Sequence, residues 1–188
     1  MRQLRGTPLK RFIRKLPPPP SPTELVVVCQ SVAYPVNVGS IFRIADALDV
    51  VEVVLTGITP TPPHPTISKV SREKDVRVPW RYVERPEAAL EELRSQGFWV
   101  AALEITEESQ PYYQVEYPPR VALVLGNEDH GVTRSCLTLC DAAVFVPMYG
   151  RGRSLNVHVA LAVVGYHLLH RRREGQDIGQ MAADQEAS

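Results

Sequence analysis

The chain has 188 residues, 44% of them hydrophobic, which suits one domain with its own core and excludes global disorder. No apolar run approaches the length that spans a bilayer, and the start lacks the apolar stretch and cleavage site of a secretory signal, so a cytoplasmic protein without a membrane partner is expected. The formal net charge is zero, from 21 basic and 21 acidic side chains, but the charges are unevenly spread.

Residues 1–23 carry Arg2, Arg5, Lys10, Arg11, Arg14 and Lys15 and no acid, which leaves the rest of the chain at a net −6. A basic arm on an acidic body suits a polyanionic partner, because Lys and Arg contacts to phosphate supply most sequence-independent affinity for nucleic acid. A solubilising tail would have the same composition, and charge alone does not separate the two. The arm ends in Pro17–Pro20 and Pro22, a run expected to be extended and stiff.

The domain proper is expected from residue 24 to 171, followed by a polar tail over 172–188. Leu25–Cys29 is a short, valine-rich apolar run, the pattern of a strand buried on both faces. Asn37 is placed to cap a helix over Val38–Leu48, and Val50–Leu55 is a second buried strand. The prolines between Thr59 and Pro65 predict a surface loop. Pro86–Gln96 is a predicted helix with Leu90 and Leu93 inward and Gly97 as its stop. Strands follow over Phe98–Leu103, Val121–Leu125 and Ala143–Val146. A last helix is predicted over Leu155–His170, with Leu155, Val159, Ala162, Val163, Tyr166 and Leu169 as its inner stripe and His158 and His167 as packing residues. Alternating strands and helices predict an α/β fold with a mostly parallel sheet and helices on both faces, and its ligand site at the carboxyl ends of the strands.

Three segments at such strand ends carry unusual residues. The first is Asn37-Val-Gly39-Ser-Ile-Phe-Arg43, opening a helix. The second is Gly126-Asn127-Glu128-Asp129-His130-Gly131, where two glycines let backbone approach a ligand closely. No serine sits on a G-x-S-x-G elbow, so its Glu-Asp-His run is not a hydrolase triad. The third, Pro147-Met148-Tyr149-Gly150-Arg151-Gly152-Arg153-Ser154-Leu155-Asn156-Val157, feeds a helix N-terminus suited to polar or anionic groups. Its Gly150-x-Gly152 lacks the third glycine of a dinucleotide fingerprint. Cys29, Cys136 and Cys140 are an odd number, the pattern of reduced thiols. The spacing of Cys136 and Cys140 is loose for a metal shared with His130, and no metal is expected.

Together and in this order, the three segments match N-x-G-x-x-x-R, G-N-E-x-x-G and P-M-x-G-x-x-x-S-L-N-V. On them the chain resembles the SpoU/TrmH family of RNA 2′-O-ribose methyltransferases, over about Leu25 to Leu169. The resemblance implies a C-terminal trefoil knot, a homodimer, S-adenosylmethionine as cofactor and RNA as partner, with a compact tRNA enzyme favoured over a ribosomal RNA enzyme. A separate RNA-binding domain before Thr23 is not expected. It implies Arg43 as catalytic residue, with Asn37, Glu128, Ser154 and Asn156 orienting the reacting groups. It implies cofactor contacts from Leu103, Gly126, Asn127, Val146, Pro147, Met148 and Leu155. Arg11, Arg14, Lys15, Arg151 and Arg153 are candidates for RNA phosphate. Guanidinium keeps its proton at any pH near neutral, so Arg43 is expected to stabilise charge and clamp a phosphate rather than act as a base. Glu128 either serves the chemistry or only braces its loop. The competing functions are a knotted enzyme that methylates a base and a non-catalytic RNA-binding relative.

Overall fold

The computed structural model describes residues 3–17 and 23–170. The proline run from residue 18 to 22, Arg171–Arg173 and the expected polar tail lie outside them. Seven parallel strands form one sheet: β1 (Glu24–Gln30), β2 (Glu52–Thr56), β3 (Trp80–Val83), β4 (Trp99–Leu103), β5 (Gln110–Pro111), β6 (Arg120–Leu125) and β7 (Ala142–Phe145). Their order is β3-β2-β1-β6-β4-β7-β5. From β1 the chain winds outward through β2 and β3. The rest of the sheet is laid down on the other side of β1, so the winding reverses between β1 and β6.

The helices are α1 (Gly6–Arg14), α2 (Pro35–Leu48), α3 (Pro65–Ser71), α4 (Pro86–Ser95), α5 (Arg134–Leu137) and α6 (Val157–His170). Side chains alternate across a strand, so β1 feeds two cores. Leu25, Val27 and Cys29 pack with α2, α3 and α6, whereas Val26 and Val28 pack with α4 and α5. Burial of each such valine stabilises by about 1.5–3 kcal/mol, which explains why the whole central strand is apolar.

Several expectations are corrected. Asn37 is not a helix cap: α2 begins two residues earlier, at Pro35, and Asn37 lies buried inside it. Proline at the first helical position needs no N–H partner, and this moved the start upstream. The Thr59–Pro65 segment is not wholly superficial, because Thr59 is buried and its hydroxyl donates to the Cys29 carbonyl. The last helix starts at Val157, so Leu155 belongs to the preceding loop. Its buried residues are Leu161, Val164, Gly165, Leu168 and Leu169, whereas Val159 and Tyr166 are exposed. A helix that is apolar nearly all round does not encode its own inward face, and a phase taken from a loop residue turned the expected stripe outward. The sequence reading also missed α1, α3, α5, β3 and β5, all short or edge elements.

Gly39 of the first motif has a packing role. A Cβ there would stand 2.8 Å from Val70 Cβ and 2.9 Å from the Ile67 carbonyl oxygen, so the missing side chain is what lets α2 and α3 cross closely. Gly39→Val is expected to cost about 1–3 kcal/mol by overpacking. A thermal melt would then fall by about 2–12 °C, taking 2–4 °C per kcal/mol for a chain of this size.

Candidate active site

The reversal between β1 and β6 brings the turn after β1 against the loop after β6, at the carboxyl edge where open α/β sheets bind ligands. Asn127 and Gly131 pair across the second motif through N–H···O bonds of 3.1 and 2.8 Å, pinching the loop into a tight hairpin. A Cβ on Gly126 would collide with the Gly131–Val132 backbone, so only glycine fits. The Asn127 carboxamide donates to the Ser31 carbonyl at 2.8 Å and accepts from the Asp129 and His130 amides. Asn127 therefore spends its polar groups on folding the loop.

Glu128 crosses to the other motif. Its carboxylate accepts from Ala33 N at 2.9 Å, Tyr34 N at 3.2 Å and Asn37 Nδ2 at 2.7 Å. These donors sit at the entry to α2, where Tyr34 offers no side-chain cap of its own. Burial opposes the Glu128 charge, but the bonds from Asn37, Ala33 and Tyr34 outweigh it and hold the carboxyl below the ordinary glutamate value. Asn37 then turns its Oδ1 to His158 Nδ1 at 3.2 Å.

The loops after β4, β6 and β7 enclose a cavity of about 720 Å³. Leu103, Gly126, Asn127, Val146, Met148 and Leu155 line it, as six of the seven expected cofactor residues; Pro147 is not part of its wall. Glu128, Ser154 and Asn156 also face it. Asn156 Oδ1 accepts from His158 N at 3.2 Å, which makes it the cap of α6. Arg43 does not reach this cavity. It lines a smaller one of about 370 Å³, with Ser40, Ile44, His158 and Tyr166. Among the described residues no ion pair engages its guanidinium. Arg151 and Arg153 are exposed in the third motif, Arg11, Arg14 and Lys15 are exposed on or just after α1, and none of the five lines either cavity.

Three site residues escaped the sequence reading. Glu104 lines the larger cavity and accepts from Val132 N at 2.9 Å, tying the end of β4 to the second motif. Gln30, nearly fully buried, accepts from Thr133 N at 2.8 Å. Both are polar residues at the end of an apolar strand, a signal that the sequence carries. His158, expected to be a packing residue, instead bonds Asn37 and faces Arg43's cavity; His167 does pack, edge-on to the Tyr112 ring.

Among the described residues no three His, Cys, Asp or Glu side chains are grouped to hold a metal. The model of the SpoU rRNA Methylase family matches residues 24–166. The chain is 32% identical over 149 residues to the tRNA (guanosine(18)-2′-O)-methyltransferase of Thermus thermophilus, covering 79% of this chain and 76% of that one. Its fold is similar to an AdoMet-bound rRNA methyltransferase from Sinorhizobium meliloti, with a TM-score of 0.73 and 25% identity over 79% of this chain, which spans only 57% of that protein. A structure described as giving insight into the 2-OH methylation of C/U34 on tRNA matches with a TM-score of 0.70 and 26% identity, covering 79% of this chain and 95% of that one. With the family model matching most of the chain and the motif loops meeting at one sheet edge, this chain belongs to the SpoU/TrmH family of S-adenosylmethionine-dependent RNA 2′-O-methyltransferases.

Proposed function

We propose that the protein methylates a ribose 2′-hydroxyl of structured RNA, tRNA rather than ribosomal RNA, with S-adenosylmethionine as methyl donor. The observation that carries the reading is the hydrogen-bonded junction of the motif loops beside a cavity of the right size and chemistry. At about 720 Å³ the cavity is within the range of small-molecule sites. Leu103, Val146, Met148 and Leu155 offer apolar walls for an adenine ring, and Gly126 keeps backbone accessible. Glu104, Glu128 and Asp129 bring negative charge suited to a sulfonium and an ammonium group. Asn127 and Pro147 would contribute through the loop they shape. The preference for tRNA follows the Thermus relative and the tRNA-methylating neighbour.

Arg43 clamps the RNA phosphate and stabilises charge developing on the 2′-oxygen, for which an unpaired guanidinium beside an open cavity is suited. Asn37 and Glu128 hold the wall behind it, and Ser154 and Asn156 hold the third loop against the larger cavity. Residues 24–171 form the methyltransferase domain and 1–23 a separate arm. In that arm Lys10, Arg11, Arg14 and Lys15 take one side of α1, with Leu9, Phe12, Ile13 and Leu16 on the other, so one face is free to meet phosphate. Arg151 and Arg153 extend the basic surface at the site. The exposed Tyr34, Val36, Val159 and Tyr166 supply apolar area for a homodimer. No helix of the described residues is long and apolar enough to cross a membrane. Acting on tRNA, as the Thermus relative does, the protein works in the cytoplasm.

The direct test incubates the protein with tritiated S-adenosylmethionine and unmodified tRNA or ribosomal RNA, then digests the RNA to nucleosides. Label in a 2′-O-methylnucleoside from tRNA is expected; label on a base would overturn the reading. Arg43→Lys keeps the charge and loses the bidentate fork, so turnover should fall by about 100-fold or more. Replacing Arg11, Arg14 and Lys15 together by Ala should weaken tRNA binding. It should also flatten log K against log salt by about 0.7–0.9 for each phosphate no longer neutralised. Glu128→Gln should destabilise by on the order of 1–2 kcal/mol at neutral pH. Because the folded carboxyl titrates below its unfolded value, this stabilisation is present above the unfolded pKa and lost as pH falls through the folded one. Melts of the two proteins should therefore differ most near pH 7 and converge as acid protonates Glu128.

A further inference from the structure

A ribose hydroxyl must lose its proton as it attacks, and Arg43 has no lone pair to receive it. His158 lines the same cavity as Arg43. The bonds on the far side of its ring fix which nitrogen carries the proton. An ionised carboxylate only accepts, so the Asn37 atom 2.7 Å from Glu128 Oε1 is Nδ2. Asn37 Oδ1 therefore faces His158 Nδ1 at 3.2 Å. A carbonyl oxygen also only accepts, so Nδ1 holds the hydrogen. In the neutral ring Nε2 is then a bare lone pair. The charged and titratable groups around the ring are Arg43 on α2, Glu128 through Asn37 and Tyr166 on α6, while α3 contributes the apolar Val70. Burial lowers the pKa of the imidazole and keeps it neutral near pH 7. Glu128 faces the larger cavity, so the relay Glu128–Asn37–His158 runs from one cavity to the other.

We propose that His158 is a catalytic base of this enzyme, its Nε2 taking the proton of the ribose 2′-hydroxyl, with Asn37 and Glu128 as positioning residues that fix its tautomer. The O–H bond breaks, the proton moves to Nε2 and the electron pair stays on oxygen to form the new bond to carbon. Bound S-adenosylmethionine supplies that carbon as a methyl group, whose bond to sulfur breaks with its electron pair left on sulfur. The imidazolium then releases its proton to water and returns to the Nδ1–H form, its charge held meanwhile by the Asn37–Glu128 relay.

The proposal rests on the ribose-methylation reading, and the test separates their failures. Nitrogen-15 NMR of the histidine-labelled, ligand-free protein at pH 7.5–8 (on the order of one unit above an ordinary histidine pKa) should find His158 with Nδ1 protonated and Nε2 bare. Asn37→Leu should let the tautomers mix. Single turnovers with unmodified tRNA transcripts should slow by about 100-fold or more in His158→Gln, with cofactor affinity by calorimetry unchanged. The wild-type rate should rise with pH through a pKa below that of free histidine, and His158→Gln should lose that limb. A protonated Nε2, or 2′-O label formed by His158→Gln within threefold of the wild-type rate, would overturn the role of His158 alone. Wild-type label on a base would overturn the ribose reading and this proposal with it. Should His158→Gln fail to fold, the tautomer of the wild-type ring decides.

Discussion

Glu128 sits where two separately folded segments have to meet. Its carboxylate takes two backbone amides from the turn after β1 and the Asn37 amide from the first turn of α2, all within 3.2 Å. Those amides belong to a helix entry without a side-chain cap, and an uncapped entry leaves donors that burial would make costly. A single charge from the next strand over satisfies them. The same bonds set the direction in which Asn37 presents its oxygen, and so the state of His158. If Glu128 were displaced, the α2 entry, the wall of the larger cavity and the imidazole beside Arg43 would all be disturbed.

The sheet makes that meeting possible. Six registered pairs join β1 to β6, from Glu24–Arg120 to Cys29–Leu125, so both strands end level and their loops face each other. Glycine then decides how close they come. Gly126 leaves room for the hairpin of the second motif, and Gly39 lets α3 press onto α2. Both set backbone separations on which side-chain distances depend. Around the junction other polar residues repeat the device, with Glu104 and Gln30 each accepting an amide from the segment after Gly131.

The two cavities differ in their linings. One is lined by apolar side chains and acids, while the other holds Arg43 and an imidazole whose charge burial disfavours. A cation that cannot lose its proton and a neutral ring that can gain one are complementary partners around a phosphate and a hydroxyl. Keeping them on α2 and α6, which pack against each other over the same face of the sheet, holds both without a long loop.

The motifs were legible because their spacing is local, and spacing along the chain is what a sequence records. The central strands were legible for a related reason: burial on both faces demands an unbroken apolar run, and Leu25–Cys29 and Val121–Leu125 are such runs. Six of the seven residues that the resemblance implied for the cofactor line one cavity, since a parallel sheet gathers its strand ends on one edge. What the sequence left open was every relation between distant segments. The inward face of α6 is not encoded in a helix apolar nearly all round; it is chosen by α2, where Gly165 lies against Leu48. Nor does Asn37 reveal whether it caps a helix or bridges a carboxylate and an imidazole, because its partners lie 91 and 121 residues away. By itself the sequence determined the central strands, the longer helices, the motifs and the family. Only the tertiary structure decided which polar groups face one another, because hydrogen-bond pairing depends on distances that folding sets and chain order does not.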